Sequence, residues 1–163
     1  VKTEKAAKTE RRSPLPKALP IASVEISLFA HATESEEKVL TAARNLLPAD
    51  KLEDITFLKS NLRGHHGNPI VLFETKIKDR DTIKPVVENL VLNLSSLDKE
   101  TLLNEIGKHI ENVSLFVRLD KQAAFEGSFR MTVADPIRIR LRFKKNRLDD
   151  IVQVCREIGL LPQ

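Results

Sequence analysis

Apolar and polar residues alternate with a period of two along several short stretches of the chain. In residues 24–31, VEISLFAH, the apolar side consists of Val24, Ile26, Leu28 and Ala30. The same period recurs in residues 54–61, 69–78, 114–120, 125–133 and 137–143. Because successive side chains of a strand point to opposite faces, this pattern predicts six β-strands, each with one apolar face.

Four longer stretches repeat their apolar residues at the spacing of an amphipathic helix. They are residues 33–48, 79–94, 96–111 and 147–161. The predicted elements follow one another in the order β-α-β-β-α-α-β-β-β-α. This order predicts an α+β fold with two layers, in which helices cover one face of a mostly antiparallel sheet.

The last predicted strand has an unusual polar side. Arg138, Arg140 and Arg142 alternate there with apolar residues, so that three guanidinium groups lie on one face of the strand. Arg118 and Arg130 hold the matching positions of the two preceding strands. If these strands form a meander, the five arginines gather on the sheet face that points away from the helices.

Charge is distributed unevenly along the 163 residues, whose net charge is +4. Residues 1–22 contain six basic and two acidic side chains, and the remaining residues contain 21 of each sign. We predict a basic flexible arm over residues 1–22 and a single domain over residues 23–163. Within that domain, residues 118–147 contain nine basic and three acidic side chains, which is a local positive excess.

Several classes of protein are disfavoured by what the sequence lacks. No apolar run is long enough for a membrane span and no signal peptide is apparent, so we expect a cytoplasmic protein. The single cysteine, Cys155, has helical spacing to its apolar neighbours and is predicted to be a core residue.

The sequence has no recognised catalytic motif, which favours a non-enzymatic protein without a cofactor. His65 and His66 are adjacent in a loop, a poor arrangement for one metal ion, and no metal site is predicted.

Two interpretations of the arginine face remain open. It is either a solvated sheet face, on which arginines pair with carboxylates such as Glu25 or Glu74, or a surface that contacts phosphates. Arginine at all five strand positions favours phosphate, because guanidinium binds phosphate through two hydrogen bonds. The chain has no Trp and no Tyr, which favours recognition of the backbone and shape of structured RNA over base stacking.

Four blocks of the sequence resemble one known family. The blocks FAHATESEEKVL, RGHHGNPIVLFETKI, RLDKQAAFEG and DPIRIRLRF are similar to segments of the archaeal family of RNA-binding proteins and predicted exosome subunits. The likeness covers residues 22 to 145. It implies an α+β fold similar to that of the ribosomal protein that binds 5S rRNA, and a role in RNA binding. The loop residues that it marks are Arg63, His65, Gly67, Asn68, Pro69, Asp120, Lys121 and Gln122.

We therefore predict a non-enzymatic protein that binds RNA phosphates, in RNA processing or in a ribosome-related assembly. The predicted RNA-binding residues are Arg63, His65, His66, Asn68, Arg118, Lys121, Gln122, Arg130, Arg138, Arg140, Arg142, Lys144 and Lys145. An alternative is a protein-interaction module whose arginine face docks an acidic partner in an RNA-processing complex. A third hypothesis is a hydrolase that uses His65 or His66 with Asp120. The oligomeric state stays open, although edge strands can pair between copies.

Overall fold

The computed structural model describes residues 15, 16 and 18–163. These residues form six strands, which are β1 (Ile21–His31), β2 (Leu58–Arg63), β3 (Pro69–Ile77), β4 (Ile110–Glu111), β5 (Ser114–Leu119) and β6 (Ile137–Phe143). The α-helices are α1 (Glu36–Arg44), α2 (Arg80–Asn93), α3 (Ser96–Asn104), α4 (Ile106–His109), α5 (Lys121–Phe125) and α6 (Leu148–Ile158), and a 3-10 helix spans Ala49–Asp54. None of the described helices has the length and the apolar character that a membrane span requires.

The six strands form one sheet in the order β2-β3-β1-β6-β5-β4, and all neighbouring strands are antiparallel. Alternating residues of the central strands point to the core, as Ile26 of β1 and the directly opposed Ile139 of β6 do; each is at most 1% exposed. The buried side chains of α1, α2 and α6 belong to the same core. The predicted α+β class is therefore confirmed.

One predicted strand is wrong. Residues 125–133 do not form a regular strand, because the chain after β5 turns into the short helix α5. Of the predicted pairing, one antiparallel bridge remains, between Met131 and Leu119 of β5. Asp120 Oδ2 accepts a hydrogen bond of 2.8 Å from Ala123 N and so caps α5, and Gly127 follows the helix with φ +85°. A side-chain cap and a left-handed glycine here outweigh the period-two pattern. The sixth strand is instead the two-residue β4, which the pattern does not predict.

The folded domain begins earlier than the predicted boundary at residue 22. β1 starts at Ile21, and Leu15 and Leu19 are 5% and 9% exposed within the core. These residues of the predicted arm therefore pack with the domain. The rest of the arm, residues 1–14 and residue 17, lies outside the described residues.

Candidate nucleic-acid interface

Most of the strand arginines gather on the sheet face opposite the helix layer. β5 pairs with β6 so that Arg118 lies opposite Arg138, and Phe116 lies opposite Arg140. The guanidinium carbons of Arg118, Arg138 and Arg140 lie 5.2, 5.1 and 5.7 Å, respectively, from the centre of the Phe116 ring. Arg142 holds the next outward position of β6. We call Arg118, Arg138, Arg140 and Arg142, with the Phe116 ring among them, the arginine cluster.

The Phe116 ring is the packing surface of the arginine cluster. It lies on the outer face of the sheet and is nevertheless only 6% exposed, because the guanidinium groups cover it. An aromatic face attracts a cation through its quadrupole, and such a contact is worth about 0.5–1 kcal/mol at an exposed site. The ring thereby offsets part of the repulsion between the like charges that surround it.

One carboxylate balances the arginine cluster. Arg140 Nη1 lies 3.3 Å from Glu25 Oε2, and Arg140 Nε donates a hydrogen bond of 2.8 Å to Ser114 Oγ. Within residues 18–163, no carboxylate lies within ion-pair distance of the other three arginines of the cluster. The interpretation of a solvated face neutralised by its own acids therefore holds for Glu25, and it does not hold for Glu74.

The positive charge of the cluster acts on a neighbouring histidine. Burial first, and then the charge of Arg118, lower the pKa of His109. The side chain of His109 is 8% exposed at the end of α4. The protonated form of His109 is therefore disfavoured, so this histidine does not add a positive charge beside the arginine cluster.

The other predicted residues of this region lie around the cluster. Arg130 is not part of a regular strand, but it lies beside the end of β5, where its carbonyl accepts a hydrogen bond of 2.8 Å from Asp120 N. Its Nη2 is 3.3 Å from Asp120 Oδ2. Gln122, on α5, donates a hydrogen bond of 3.0 Å to Glu126. Lys144 and Lys145 follow β6 directly and are exposed. The two lysines therefore extend the basic surface past the Arg142 end of the strand.

Several loops meet at the edge of the sheet that runs across the strand ends, on the side opposite to Lys144 and Lys145. β1, β2 and β5 run in one direction, and β3 and β6 run in the other. The residues that follow the first three strands and precede the other two must therefore lie at one edge. The segments at this edge are residues 32–35, 64–68, 120–121 and 135–136. Each comes from one of the four sequence blocks that carry the family resemblance.

The turn between β2 and β3 presents the remaining predicted residues at this edge. Arg63 ends β2, and its Nη1 donates a hydrogen bond of 3.4 Å to Gly67 O. His65 and His66 contact each other edge to face, with ring centroids 5.3 Å apart. Gly67 has φ +78°, a left-handed conformation that glycine adopts without strain. The turn therefore exposes two imidazoles and the side chain of Asn68 to solvent.

An ion-pair network joins three of the loops at this edge. Lys121 Nζ lies 2.6 Å from Asp135 Oδ2 and 2.9 Å from Glu34 Oε1, and it donates a hydrogen bond of 2.9 Å to Phe29 O. His31 Nε2 lies 3.0 Å from Asp135 Oδ1. We call His31, Glu34, Lys121 and Asp135 the Lys121 cluster. Because the lysine side chain is 12% exposed and has three acceptors in the protein, a phosphate that contacted Lys121 would have to displace them.

The Lys121 cluster has some of the features of a metal site. Ligand atoms of His31, Glu34 and Asp135 lie within 4.8 Å of one another. The ammonium group of Lys121, however, lies 2.6 Å from one of these carboxylates and 2.9 Å from the other. It already supplies the positive charge that a metal ion would bring, so the geometry assigns the cluster to joining loops.

Replacement of Lys121 by methionine should destabilise the domain by about 1–2 kcal/mol at pH 7, because the carboxylates of Glu34 and Asp135 lose the cation that they share. Burial raises the pKa of Asp135, but the hydrogen bonds and charges of Lys121 and His31 outweigh that effect and lower it below its ordinary value. A lowered folded-state pKa gives stability that is present above the unfolded pKa and is lost as the pH falls through the folded pKa. Thermal unfolding should therefore separate wild type from Lys121→Met at pH 7 and much less at pH 3.

The control for this prediction is Lys38→Met, which makes the same substitution at an exposed position of α1. It should change the unfolding free energy by less than about 0.5 kcal/mol. Equal destabilisation at pH 3 and pH 7 would contradict the assigned role of the ion pairs.

The hydrolase hypothesis requires Asp120 to approach His65 or His66. Asp120 Oδ2 instead accepts hydrogen bonds from Ala123 N at 2.8 Å and from Arg130 Nη2 at 3.3 Å. No hydrogen bond or ion pair among the described side chains joins Asp120 to either histidine. The geometry therefore gives this hypothesis no support.

The sequence prediction missed the residues that organise the two clusters. Phe116 could be recognised in the sequence, because it is an apolar residue on the face of the strand that Arg118 makes polar. His31 and Asp135 leave none, because 104 residues separate them and no local spacing connects them. Glu34 likewise meets Lys121 across 87 residues. Tertiary structure was needed to find these pairs.

The described domain has relatives among archaeal proteins. A family model described as RNA binding matches residues 23–143. The chain is 31% identical to RNA-binding protein PAB1135 of Pyrococcus abyssi over 140 residues, 83% of this chain and 91% of the relative. It is 30% identical to uncharacterized protein MJ0213 of Methanocaldococcus jannaschii over 146 residues, 84% of this chain and 97% of the relative. The crystal structure of protein AF2318 from Archaeoglobus fulgidus has a TM-score of 0.74 at 29% identity and covers 85% of this chain and 99% of that one. The chain belongs to this archaeal RNA-binding family.

Proposed function

We propose that the protein binds structured RNA by placing the phosphate backbone against the arginine cluster. The observation that carries this proposal is the charge imbalance of the cluster, in which, among the residues that the structure describes, four guanidinium groups share one carboxylate. Guanidinium is always charged and offers its donors in a rigid fork that matches phosphate oxygens. Three of the four arginines have no carboxylate partner among the described residues, so their donors are available to a ligand.

The geometry of the cluster supports backbone contact over base stacking. Phe116 is covered by arginines, and its ring is not available to a base. Phe29, on the same face, is 39% exposed and offers one aromatic surface at the edge of the region. Single-strand binders use several exposed aromatic residues to stack successive bases. An arginine-rich sheet face without them suits the phosphates and the shape of a folded RNA.

Two further groups of predicted residues extend the proposed contact surface. Lys144 and Lys145 lie at one end of β6, and the turn with His65 and His66 lies at the opposite edge of the sheet. Between them runs a groove of about 360 Å³, lined in part by Glu25, Arg138 and Arg140. We assign the two lysines to the same RNA backbone as the cluster, and the turn to a separate contact at the edge of the RNA.

Salt dependence tests the proposal directly. The four arginines of the cluster alone contribute roughly −2.8 to −3.6 to the slope of the logarithm of the RNA association constant against the logarithm of salt concentration, and contacts of Lys144 and Lys145 make it steeper. Affinity for a purified, structured RNA should therefore fall at least about tenfold between 100 and 200 mM salt. Fluorescence anisotropy with a labelled RNA hairpin measures this, and a slope near zero would contradict backbone binding.

Docking of an acidic protein is a second candidate function of the arginine cluster. It is favoured by the ion pair within the protein, in which Arg140 binds a carboxylate, Glu25, at 3.3 Å. The cluster can therefore also accept an acidic protein, such as a subunit of an RNA-processing assembly. In that case the partner should still be recovered with the tagged protein from a nuclease-treated lysate, and purified RNA should bind weakly. Recovery that is lost on nuclease treatment favours RNA.

A further inference from the structure

The outer edge of β2 carries a pattern that RNA binding does not explain. β2 ends the sheet, and no strand of the described residues pairs with its free edge. Its outward-pointing residues are Leu58, Ser60 and Leu62, since Leu58 lies opposite Glu74 of β3 on that face. Leu58 is 66% exposed and Leu62 is 43% exposed. Two large apolar side chains on an open strand edge are a feature that soluble proteins usually avoid or cover.

Pairing of β2 with β2 of a second copy is constrained by the faces of the strand. A two-fold axis perpendicular to the sheet keeps outward residues outward, so residues of equal parity must face each other. If the axis passes midway between the Ser60 residues of the two copies, these two serines lie opposite each other. Leu58 of each copy then lies opposite Leu62 of the other. On the inner face, Lys59 lies opposite Asn61 of the second copy, and no like charges are opposed. The sequence LKSNLR is therefore complementary to itself in this register.

The other edge of the sheet does not offer an equivalent partner. That edge is β4, which has only two residues, Ile110–Glu111, against the six of β2. Head-to-tail pairing of β2 with β4 would leave most of the β2 edge open. Self-complementarity of one edge and shortness of the other favour a closed pair over a growing filament.

We propose that two copies of the chain associate through their β2 strands, centred on Ser60, to form a continuous twelve-stranded antiparallel sheet. The pairing buries Leu58 and Leu62 against their counterparts and satisfies the open backbone groups of both edges. A contact of six residues per strand is small, so the dimer forms in a concentration-dependent way. The same axis leaves the arginine clusters of both copies on one face of the joined sheet.

A pair of matched variants tests the register. In Leu58→Lys/Leu62→Lys, like charges face each other across the axis, and the dissociation constant of the dimer should rise about tenfold or more. In Leu58→Lys/Leu62→Glu, each new lysine faces a new glutamate, and the dissociation constant should stay within about threefold of wild type. Analytical ultracentrifugation measures both, with one chain at 18.4 kDa and the dimer at twice that mass. Equal weakening in both variants would overturn the proposed register.

A disulfide across the axis provides the second measurement. Directly opposed residues of antiparallel strands have Cα atoms about 4.5 or 5.5 Å apart, and both distances suit a disulfide. Ser60→Cys should therefore give a covalent dimer under mild oxidation, while the native Cys155 is fully buried. Ser128→Cys, on an exposed turn away from β2, controls for random collision. Crosslinking of both variants to the same extent, or of neither, would overturn the proposal, whereas RNA binding by the monomer would be unaffected.

Discussion

Replacement of Arg138, Arg140 and Arg142 by glutamine should weaken binding of a structured RNA on the order of 100- to 500-fold at 0.1 M salt. Each lost phosphate contact reduces the salt slope by roughly 0.7 to 0.9, so three contacts reduce it by roughly 2.1 to 2.7. Relative to about 1 M salt, each unit of slope changes the association constant at 0.1 M salt by roughly a factor of ten. Glutamine keeps a polar side chain on the outer face and adds no volume to the core. Titration of a labelled RNA hairpin at three or more salt concentrations measures the affinity and the slope together.

The control for this prediction removes three positive charges from the helix layer. Lys38→Gln, Arg44→Gln and Lys51→Gln change the net charge of the protein by the same amount, in α1 and the neighbouring 3-10 helix. If RNA responds only to net charge, both triple variants should weaken binding equally. If the arginine cluster is the contact surface, the control should lose less than about fivefold. Equal losses would contradict the proposed site.

The positions of the strand arginines could be predicted from sequence because the faces of a strand follow from its period. Arg138, Arg140 and Arg142 alternate with Ile139 and Leu141, which are at most 1% exposed. Burial of the apolar set fixes where the arginines point, whatever the neighbouring strands do. The same argument places Arg118 on the outer face of β5. It says nothing of distances between strands, which depend on the sheet order.

The period-two argument fails where local hydrogen bonds offer the backbone a better alternative. Between β5 and β6, the segment DKQAAFEG begins with a helix-capping aspartate, Asp120, and ends with Gly127 in the left-handed conformation. These two residues are a sequence signal for a short helix. Phe125 and Phe129 repeat at a spacing that suits a strand, but also at i and i+4, which suits one side of a helix. The cap decides between them, so Arg130 is not part of a regular strand, although it stays beside β5 and opposite Asp120.

Contacts of long range could not be predicted at all. The Lys121 cluster joins β1, α5 and the entry to β6, and its members are separated by up to 104 residues. Each residue taken alone is an ordinary polar residue in a loop. Antiparallel pairing of strands that are distant in sequence brings them to one edge. The family resemblance marks these loops, and the structure supplies the physical reason, which is an ion-pair network that fixes the loops relative to one another.

Replacement of Phe116 by alanine should destabilise the domain by about 2–4 kcal/mol, which lowers the melting temperature by about 5–15 °C. The ring is 6% exposed, and its removal leaves a cavity beneath three guanidinium groups that repel one another. RNA affinity should fall about tenfold, because the arginines lose their fixed positions and must be ordered on binding. The salt slope should not change, since all the charges remain. Thermal unfolding and RNA titration measure the two effects on the same samples.

Phe116→Leu separates the packing of the ring from its attraction for cations. Leucine fills most of the space but has no aromatic face, so it should recover part of the stability and leave a deficit of about 1.5–3 kcal/mol, the sum of the three lost cation–π contacts. The three guanidinium carbons lie between 5.1 and 5.7 Å from the ring centre, within the range in which such contacts act. If leucine restores both stability and RNA affinity fully, the ring acts only by its volume. If leucine restores stability but not affinity, the aromatic face is what holds the arginines in position for the RNA backbone.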